Sequence, residues 1–325
     1  MYHSHLLINV GENPDRPDWN ITRRWLRNLY RVHQRLCMAF PSSVPAGYAE
    51  QIAAYCEAYS GAGMNHLRDL PGEPDTADVH HARSDEAGFL FRIDHPVCDV
   101  VNGKAKRSGR GVRRPVIIVQ SGNKPDWDYA FGLNEDAVDD RYRPIGNASF
   151  LLAAPPQVKE ICVALEGETL VLTCPEPPQQ DQRIRPGDRV RFRLRANPVY
   201  TKDRKRHRPR IPPEAFNAGG AVRRRAFIKA HEEWLERKLA NAGDSVECFA
   251  VGHNGRRVDT LVTGWAWGWR SKHEPQPRQR MQWWSALFEG TFRVKNTVAL
   301  KSLLECGIGP AKAFGFGLLS IVPLK

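Results

Sequence analysis

The chain has 325 residues, of which 41% are hydrophobic, and 48 basic against 36 acidic side chains leave a formal net charge of +12. That length suffices for two domains of ordinary size, and the charge surplus favours a polyanionic partner without naming one. No apolar run reaches the roughly 18 residues needed to span a bilayer, and the first ten residues lack the basic and apolar regions of a secretory signal, so a cytoplasmic protein is expected.

In chain order, residues 6–10 are a short apolar run with the character of a buried strand. A helix is predicted over 21–40, capped by Asn20 and closed by Pro41. Its apolar face carries Trp25, Leu29, Val32, Leu36 and Phe40, and Arg23, Arg27, Arg31 and Arg35 form a basic stripe opposite. From 42 to 86 the pattern weakens: 48–59 has helical character, and 61–63 and 71–78 read as loop. Strands are predicted over 88–93 and 115–120. The basic stretch 101–114 reads as a mobile loop and 121–157 as an irregular insertion. A strand is expected at 162–165 or 169–172, a linker at 175–181, and a turn at Pro186-Gly187-Asp188.

Residues 189–195 alternate arginine with Val190, Phe192 and Leu194 at the period of a strand. One face would enter a core and the other would offer four arginines, including Arg193 and Arg195, to phosphate. The plainer alternative is a solvated edge strand protected by its charge. The run 201–210, with Lys202, Arg204, Lys205, Arg206 and Arg210, reads as a solvated loop that becomes a phosphate contact beside that strand. A helix is predicted over 221–242, with Phe227, Trp234, Leu235 and Leu239 toward the core. Strands follow at 246–251 and 261–267, then a basic turn over 270–280, a strand over 283–294 and a short helix over 298–306. Each half suggests the order βαββ(α)β, the second more clearly. The expected fold is α+β: two tandem ferredoxin-like (RRM-like) domains, 1–183 with insertions and 184–325. No residue-level repeat links them.

Three groups of residues bear on chemistry. Gly307, Gly309, Gly315 and Gly317 flank Lys312, and glycines let a backbone approach phosphate closely. The spacing is not a Walker loop, and the plainer alternative is a tight helix-to-strand connection over a buried Phe314. Tyr30 and His33 lie three apart on the first helix. His33 falls about 60° from the centre of the apolar arc, a position more usual for a core-border histidine than for a catalyst. His80 and His81 with Asp75 and Asp78 lack metal-ligand spacing. The seven cysteines contain no CxxC pair, so reduced thiols are expected and neither metal nor cofactor.

Several segments, in order, resemble the CasE family: Tyr2 with the first strand, Leu29-Tyr30-Arg31-Val32-His33-Gln34 with Phe40-Pro41, and Phe89-Leu90-Phe91-Arg92. Phe192-Arg193-Leu194-Arg195-Ala196-Asn197-Pro198 and the end from Gly307 to Ser320 are the longest and most specific of these. Residues 42–86, 95–113 and 121–182 have no counterpart in the pattern. The resemblance implies a metal-independent endoribonuclease that cuts CRISPR precursor RNA at the base of a repeat stem-loop and stays bound as a Cascade subunit. It implies Tyr30 and His33 as catalytic, and a groove-entering basic hairpin near Arg270, Lys272, Arg278 and Arg280. Its implied partners are the repeat RNA and other Cascade subunits, backbone and crRNA-handle-binding ones included, with target DNA met only indirectly and no membrane. A non-cleaving stem-loop-binding subunit is the second reading, and the presence of both Tyr30 and His33 argues against it. A basic RRM-type protein is the third, and residues 189–195 offer Phe192 but not the aromatic pattern such proteins use.

Overall fold

The computed structural model describes residues 1–10, 19–40, 88–94, 99–101, 104–106, 114–132, 148–175, 181–202, 205–240, 246–249, 258–270 and 279–324. The helical character read at 48–59, the loops at 61–63 and 71–78, and the group His80, His81, Asp75 and Asp78 lie outside the described residues, as do Arg204, Lys272 and Arg278. Two compact units are present. One comprises Met1–Phe89, Arg114–Val158 and Trp267–Met281; the other comprises Leu90–Arg113, Lys159–Ala266 and Gln282–Lys325. No helix among the described residues is long and apolar enough to cross a membrane.

The strands run β1 (Tyr2–Leu7), β2 (Leu90–Asp94), β3 (Asp99–Val101), β4 (Lys104–Lys106), β5 (Val116–Ser121), β6 (Gln157–Glu160), β7 (Cys162–Glu166), β8 (Thr169–Thr173) and β9 (Gln182–Ile184). They continue as β10 (Arg189–Ala196), β11 (Tyr200–Lys202), β12 (Lys205–His207), β13 (Val246–Phe249), β14 (Val258–Arg270), β15 (Gln279–Val294) and β16 (Leu319–Pro323). The principal helices are α1 (Trp19–Arg27), α2 (Leu29–Cys37), α3 (Trp127–Phe131), α4 (Gly220–Ala240) and α5 (Thr297–Cys306).

One sheet has the order β2-β5-β1-β6 and another β13-β15-β10-β16, with β14 added against β15. In both, the first and third strands of the set are central, the second lies beside the third and the fourth beside the first. With helices after the first and third strands, this is the ferredoxin-like arrangement, present twice. The repeat that residue comparison misses is thus a repeat of topology.

In the first unit β1 pairs antiparallel with β5, Leu6 opposite Ile117 and Ser4 opposite Val119, all four buried. The predicted face of Trp25, Leu29, Val32, Leu36 and Phe40 is buried as read. Trp127 donates from Nε1 to Ser4 Oγ at 2.9 Å, and its ring meets Phe40 and Phe131. This places a helix, α3, inside the stretch read as irregular. The single helix read over 21–40 is two helices, and Asn20 lies within α1 instead of capping it.

In the second unit β10 alternates as predicted: Val190, Phe192, Leu194 and Ala196 enter a core with Trp234, Leu235, Phe288, Phe292 and Leu300. Both strands offered as alternatives near 162–172 form, pairing as β7 and β8, and β9 joins them. Leu170 and Ile184 carry that small sheet into the same core. Asn296 caps α5, its Oδ1 accepting from Ala299 N–H at 3.0 Å. Within the run 201–210, read as a solvated loop, β12 pairs antiparallel with β11: Tyr200 pairs with His207 and Thr201 with Arg206. The outer end of this pair is held by stacking of the Tyr200 and His207 rings at 5.7 Å. Similarly, part of the basic stretch 101–114 is β4, paired with β3.

Candidate nucleic-acid interface

Tyr30 and His33 sit on α2, whose start is set by a break at Asn28. Tyr30 is half-buried. His33 is 7% exposed and lies nearly parallel to the Phe89 ring, 5.8 Å between centroids and 22° between planes. Phe89 stacks in turn on Phe40 at 5.0 Å and 15°. On the same helix, one turn on, Cys37 Sγ lies 3.5 Å from Nε2 and 3.7 Å from Nδ1 of His33. The imidazole is therefore clamped between a phenyl face and a thiol, with a narrow edge left to solvent.

The basic stripe around these residues is not uniform. Arg23, Arg27 and Arg31 are exposed, as is Arg24. Arg35 instead donates from Nη1 to the Ala130 carbonyl at 3.0 Å, and burial lowers its pKa below the ordinary arginine value. The end of β14 lies in the same unit. Trp269 there is hydrogen-bonded through its backbone to Asn28, and the exposed Arg280 holds its guanidinium 3.4 Å from the centre of the Trp267 ring. Arg270 ends β14, and its side chain lies outside the described residues, as does that of Lys202.

In the second unit the four arginines of β10 divide. Arg189 and Arg191 are exposed, whereas Arg193 and Arg195 join a partly buried charge network. Its hub is Arg92, 2% exposed, which pairs with both oxygens of Asp94 at 2.8 and 2.9 Å. From Nη1 the same side chain donates to Arg193 O, Leu318 O and Ser320 Oγ at 3.1, 3.3 and 3.0 Å. Burial alone would raise the Asp94 carboxyl, but Arg92, with Arg193 and Arg195 behind it, holds it below its usual value. Arg193 also lies 3.0 Å from Glu289, yet burial outweighs that cation and the Glu289 pKa rises. Arg195 donates to Ser285 Oγ at 3.1 Å, lies 5.2 Å over Phe316, and keeps a buried Nη1 without a hydrogen-bond partner. Burial brings its pKa down to about 10. The charges of Arg193 and Arg195 are met in this state by protein groups.

Lys205, Arg206 and Arg210 are exposed on and beside the β11–β12 hairpin, with Arg210 Nη2 3.2 Å from His207 Nδ1. The sequence reading included their neighbour Arg208 only as part of the basic run 201–210. Arg208 lies over Trp284 at 4.8 Å and Trp265 at 5.6 Å, and Trp265 is 44% exposed. Sequence reasoning passed over the pairing of Arg92 and Asp94, whose i,i+2 spacing on a strand was the available signal for a same-face ion pair.

The glycine-rich end is a tight turn from α5 to β16, with Lys312 opening a 3₁₀ turn over Lys312–Phe314. Its glycines are demanded by packing. A β-carbon on Gly309 would meet Trp234 at 3.0 Å, one on Gly315 would meet Phe91 at 2.9 Å, and one on Gly317 would meet the Ile308 carbonyl at 2.9 Å. The buried phenyl is Phe316, not Phe314, which stacks on Trp283 at 4.3 Å.

A family model described as CRISPR associated protein matches residues 74–323. The chain is 29% identical over 217 residues to the CRISPR-associated endoribonuclease Cse3 of Thermus thermophilus, spanning 66% of this chain and 76% of that one. It is 29% identical over 162 residues to the CRISPR system Cascade subunit CasE of Escherichia coli, spanning 48% and 69%. In structure it is similar to CRISPR endoribonuclease Cse3 bound to a 19-nucleotide RNA, with TM-score 0.50 and 22% identity over 99% of this chain and 100% of that one. That likeness shows the fold.

Proposed function

The chain belongs to the CRISPR-associated protein family, as a CasE member, and from that premise we propose that it cleaves CRISPR precursor RNA at the base of the repeat stem-loop and stays on its product as a Cascade subunit. The observation that carries the reading is His33, clamped on α2 with Tyr30 one turn before it, in a chain of net charge +12.

RNA supplies its own nucleophile in the ribose 2′-OH. The O2′–P bond forms and the P–O5′ bond breaks, leaving a 2′,3′-cyclic phosphate and a 5′-OH. One proton leaves O2′ and one arrives at O5′. His33 serves one of these transfers, since imidazole exchanges protons near neutral pH. Tyr30 orients the 2′-OH or donates to the phosphate. No metal or cofactor enters this scheme.

Phosphate contacts are assigned to Lys202, Arg204, Lys205, Arg206, Arg210 and Lys312, and to Arg270, Lys272, Arg278 and Arg280; Arg193 and Arg195, already engaged by protein groups, and Gly309, Gly315 and Gly317, held by packing, are not given one. Exposure of Lys205, Arg206, Arg210 and Arg280 supports this. The domains are assigned to 1–183 and 184–325; the two four-strand sets fall on either side of that division, while β7 and β8 pack with the second core. The partners proposed are the repeat stem-loop and the other Cascade subunits, in the cytoplasm.

The test is cleavage of the chain's own repeat RNA in excess EDTA. Full cleavage with cyclic phosphate ends is expected, and a 2′-deoxy scissile nucleotide should bind without being cut. Loss of activity on chelation, restored by Mg²⁺, refutes the chemistry. The 7% exposure of His33 favours a second reading, a stem-loop holder that does not cut, and the same assay separates the two.

A further inference from the structure

The residue between α1 and α2 is Asn28, 7% exposed, at φ −104 and ψ 89. Asparagine before a helix ordinarily turns its side chain back to accept from the first N–H groups. Asn28 makes no such cap. Its Oδ1 accepts from the backbone N–H of Trp269 at 2.9 Å, and its Nδ2 donates to the carbonyl of the same residue at 3.3 Å. A planar carboxamide bonded in both directions to one residue acts as a one-residue strand partner. Both bonds depend on register, because a shift of β14 would leave two buried polar groups unpaired.

Trp269 is the penultimate residue of β14, and β15 resumes at Gln279. Arg280 over Trp267 stands at the same end of the strand pair. Asn28 is two residues before Tyr30 and five before His33. The geometry points to Asn28 as a positioning residue that fixes the end of β14, and with it Arg280 at the start of the paired β15, to the start of the helix carrying Tyr30 and His33. Seating of RNA at Arg280 is thereby referenced to the position of the imidazole. This rests on the reading of His33 as the proton-transfer residue.

The test compares single-turnover cleavage of the native repeat stem-loop, at saturating protein and per folded molecule, for wild type, Asn28→Ala, Asn28→Asp, Arg280→Ala and the Asn28→Ala/Arg280→Ala double variant. Asn28→Ala should lower the rate constant about 10-fold or more, since small misplacements at a reacting centre are costly, while stem-loop affinity changes by less than about 3-fold. Asn28→Asp keeps an acceptor for Trp269 N–H and should recover part of the rate. Arg280→Ala should cost at least about 3-fold less in the Asn28→Ala background than alone, the mark of coupled residues. A merely structural asparagine would lower the folded fraction and leave the effects multiplicative. Wild-type rates for the Asn28 variants, or effects that multiply, overturn the inference. Should Asn28→Ala fail to fold, a wild-type rate in Asn28→Asp does so. If wild type does not cut, or His33→Ala cuts normally, the catalytic reading falls and this inference with it. A wild type that cuts, an inactive His33→Ala and unaffected Asn28 variants defeat this inference alone.

Discussion

Gly315→Ala separates packing from phosphate approach in the glycine turn. Gly315 has φ 81, and an added β-carbon would sit 2.9, 3.3 and 3.4 Å from Cε2, Cζ and Cδ2 of Phe91. The left-handed backbone costs an L-residue about 1–2 kcal/mol. Phe91 is fully buried on β2, so its ring cannot yield into solvent, and overpacking adds about 1–3 kcal/mol. The sum is about 2–5 kcal/mol. Gly187 is the control, with φ 95 and open space around its added β-carbon, so Gly187→Ala should cost only about 1–2 kcal/mol. The assay is urea unfolding, read as a shift in midpoint at unchanged slope, beside stem-loop affinity measured where each variant is folded. The expected result is a Gly315→Ala loss exceeding that of Gly187→Ala by about 1–3 kcal/mol, with affinity within about 2-fold of wild type. Unchanged stability with weakened binding would mean that the glycine serves close approach of a phosphate, and the packing argument would fail.

His33→Ala should lower the single-turnover rate by about 100-fold or more, the lower end for general acid–base catalysis, with stem-loop affinity nearly unchanged; intact cleavage sinks the assignment. Lys205→Ala/Arg206→Ala should flatten the plot of log affinity against log salt by about 1–2 units, with the rate at saturation preserved, and an unchanged slope would leave the β11–β12 hairpin a solvated feature. His231 is fully buried, its Nδ1 donating to Phe227 O at 2.8 Å and its Nε2 accepting from Trp284 Nε1 at 2.9 Å. That pairing requires neutral imidazole. Burial lowers the pKa, the Phe227 carbonyl opposes this and Arg208 adds to it. Because the folded pKa lies below the unfolded value of 6.5, unfolding takes up a proton. The stabilisation is whole above pH 6.5 and is lost as pH falls from there through the folded pKa, at up to about 1.4 kcal/mol per pH unit. Unfolding at pH 7.5 and 5.5 should show this loss in wild type and less of it in His231→Leu; equal slopes would refute it.

What was legible in the chain was what its local period dictates. The alternation of β10 and the apolar arc of Trp25, Leu29, Val32 and Leu36 reflect burial of one face, and the structure buries those faces. What was not legible was set by partners far along the chain. The helix break at Asn28 is held by a residue 241 positions away, so no propensity near Asn28 foretells it. Arg193 and Arg195 looked equivalent to Arg189 and Arg191 until Asp94 and Ser285 were placed beside them. The run 201–210 was read as a loop because charge masks strand pattern, while the ring pair that closes β11 on β12 lies at their outer ends. Of the pair on α2, spacing along the helix was readable, but the stack of His33 on Phe89 was not.

That stack has a thermodynamic consequence. A histidine free to rotate would have to surrender its side-chain entropy each time RNA arrived, and the loss would appear in the activation barrier. With Phe89 against its face and Cys37 against its ring nitrogens, the His33 imidazole gives up that freedom once, when the chain folds. The ordering is charged to the stability of the protein and not to turnover, so loosening the aromatic column from behind, at Phe40, would surface as a more unfavourable activation entropy of cleavage with little change in its enthalpy.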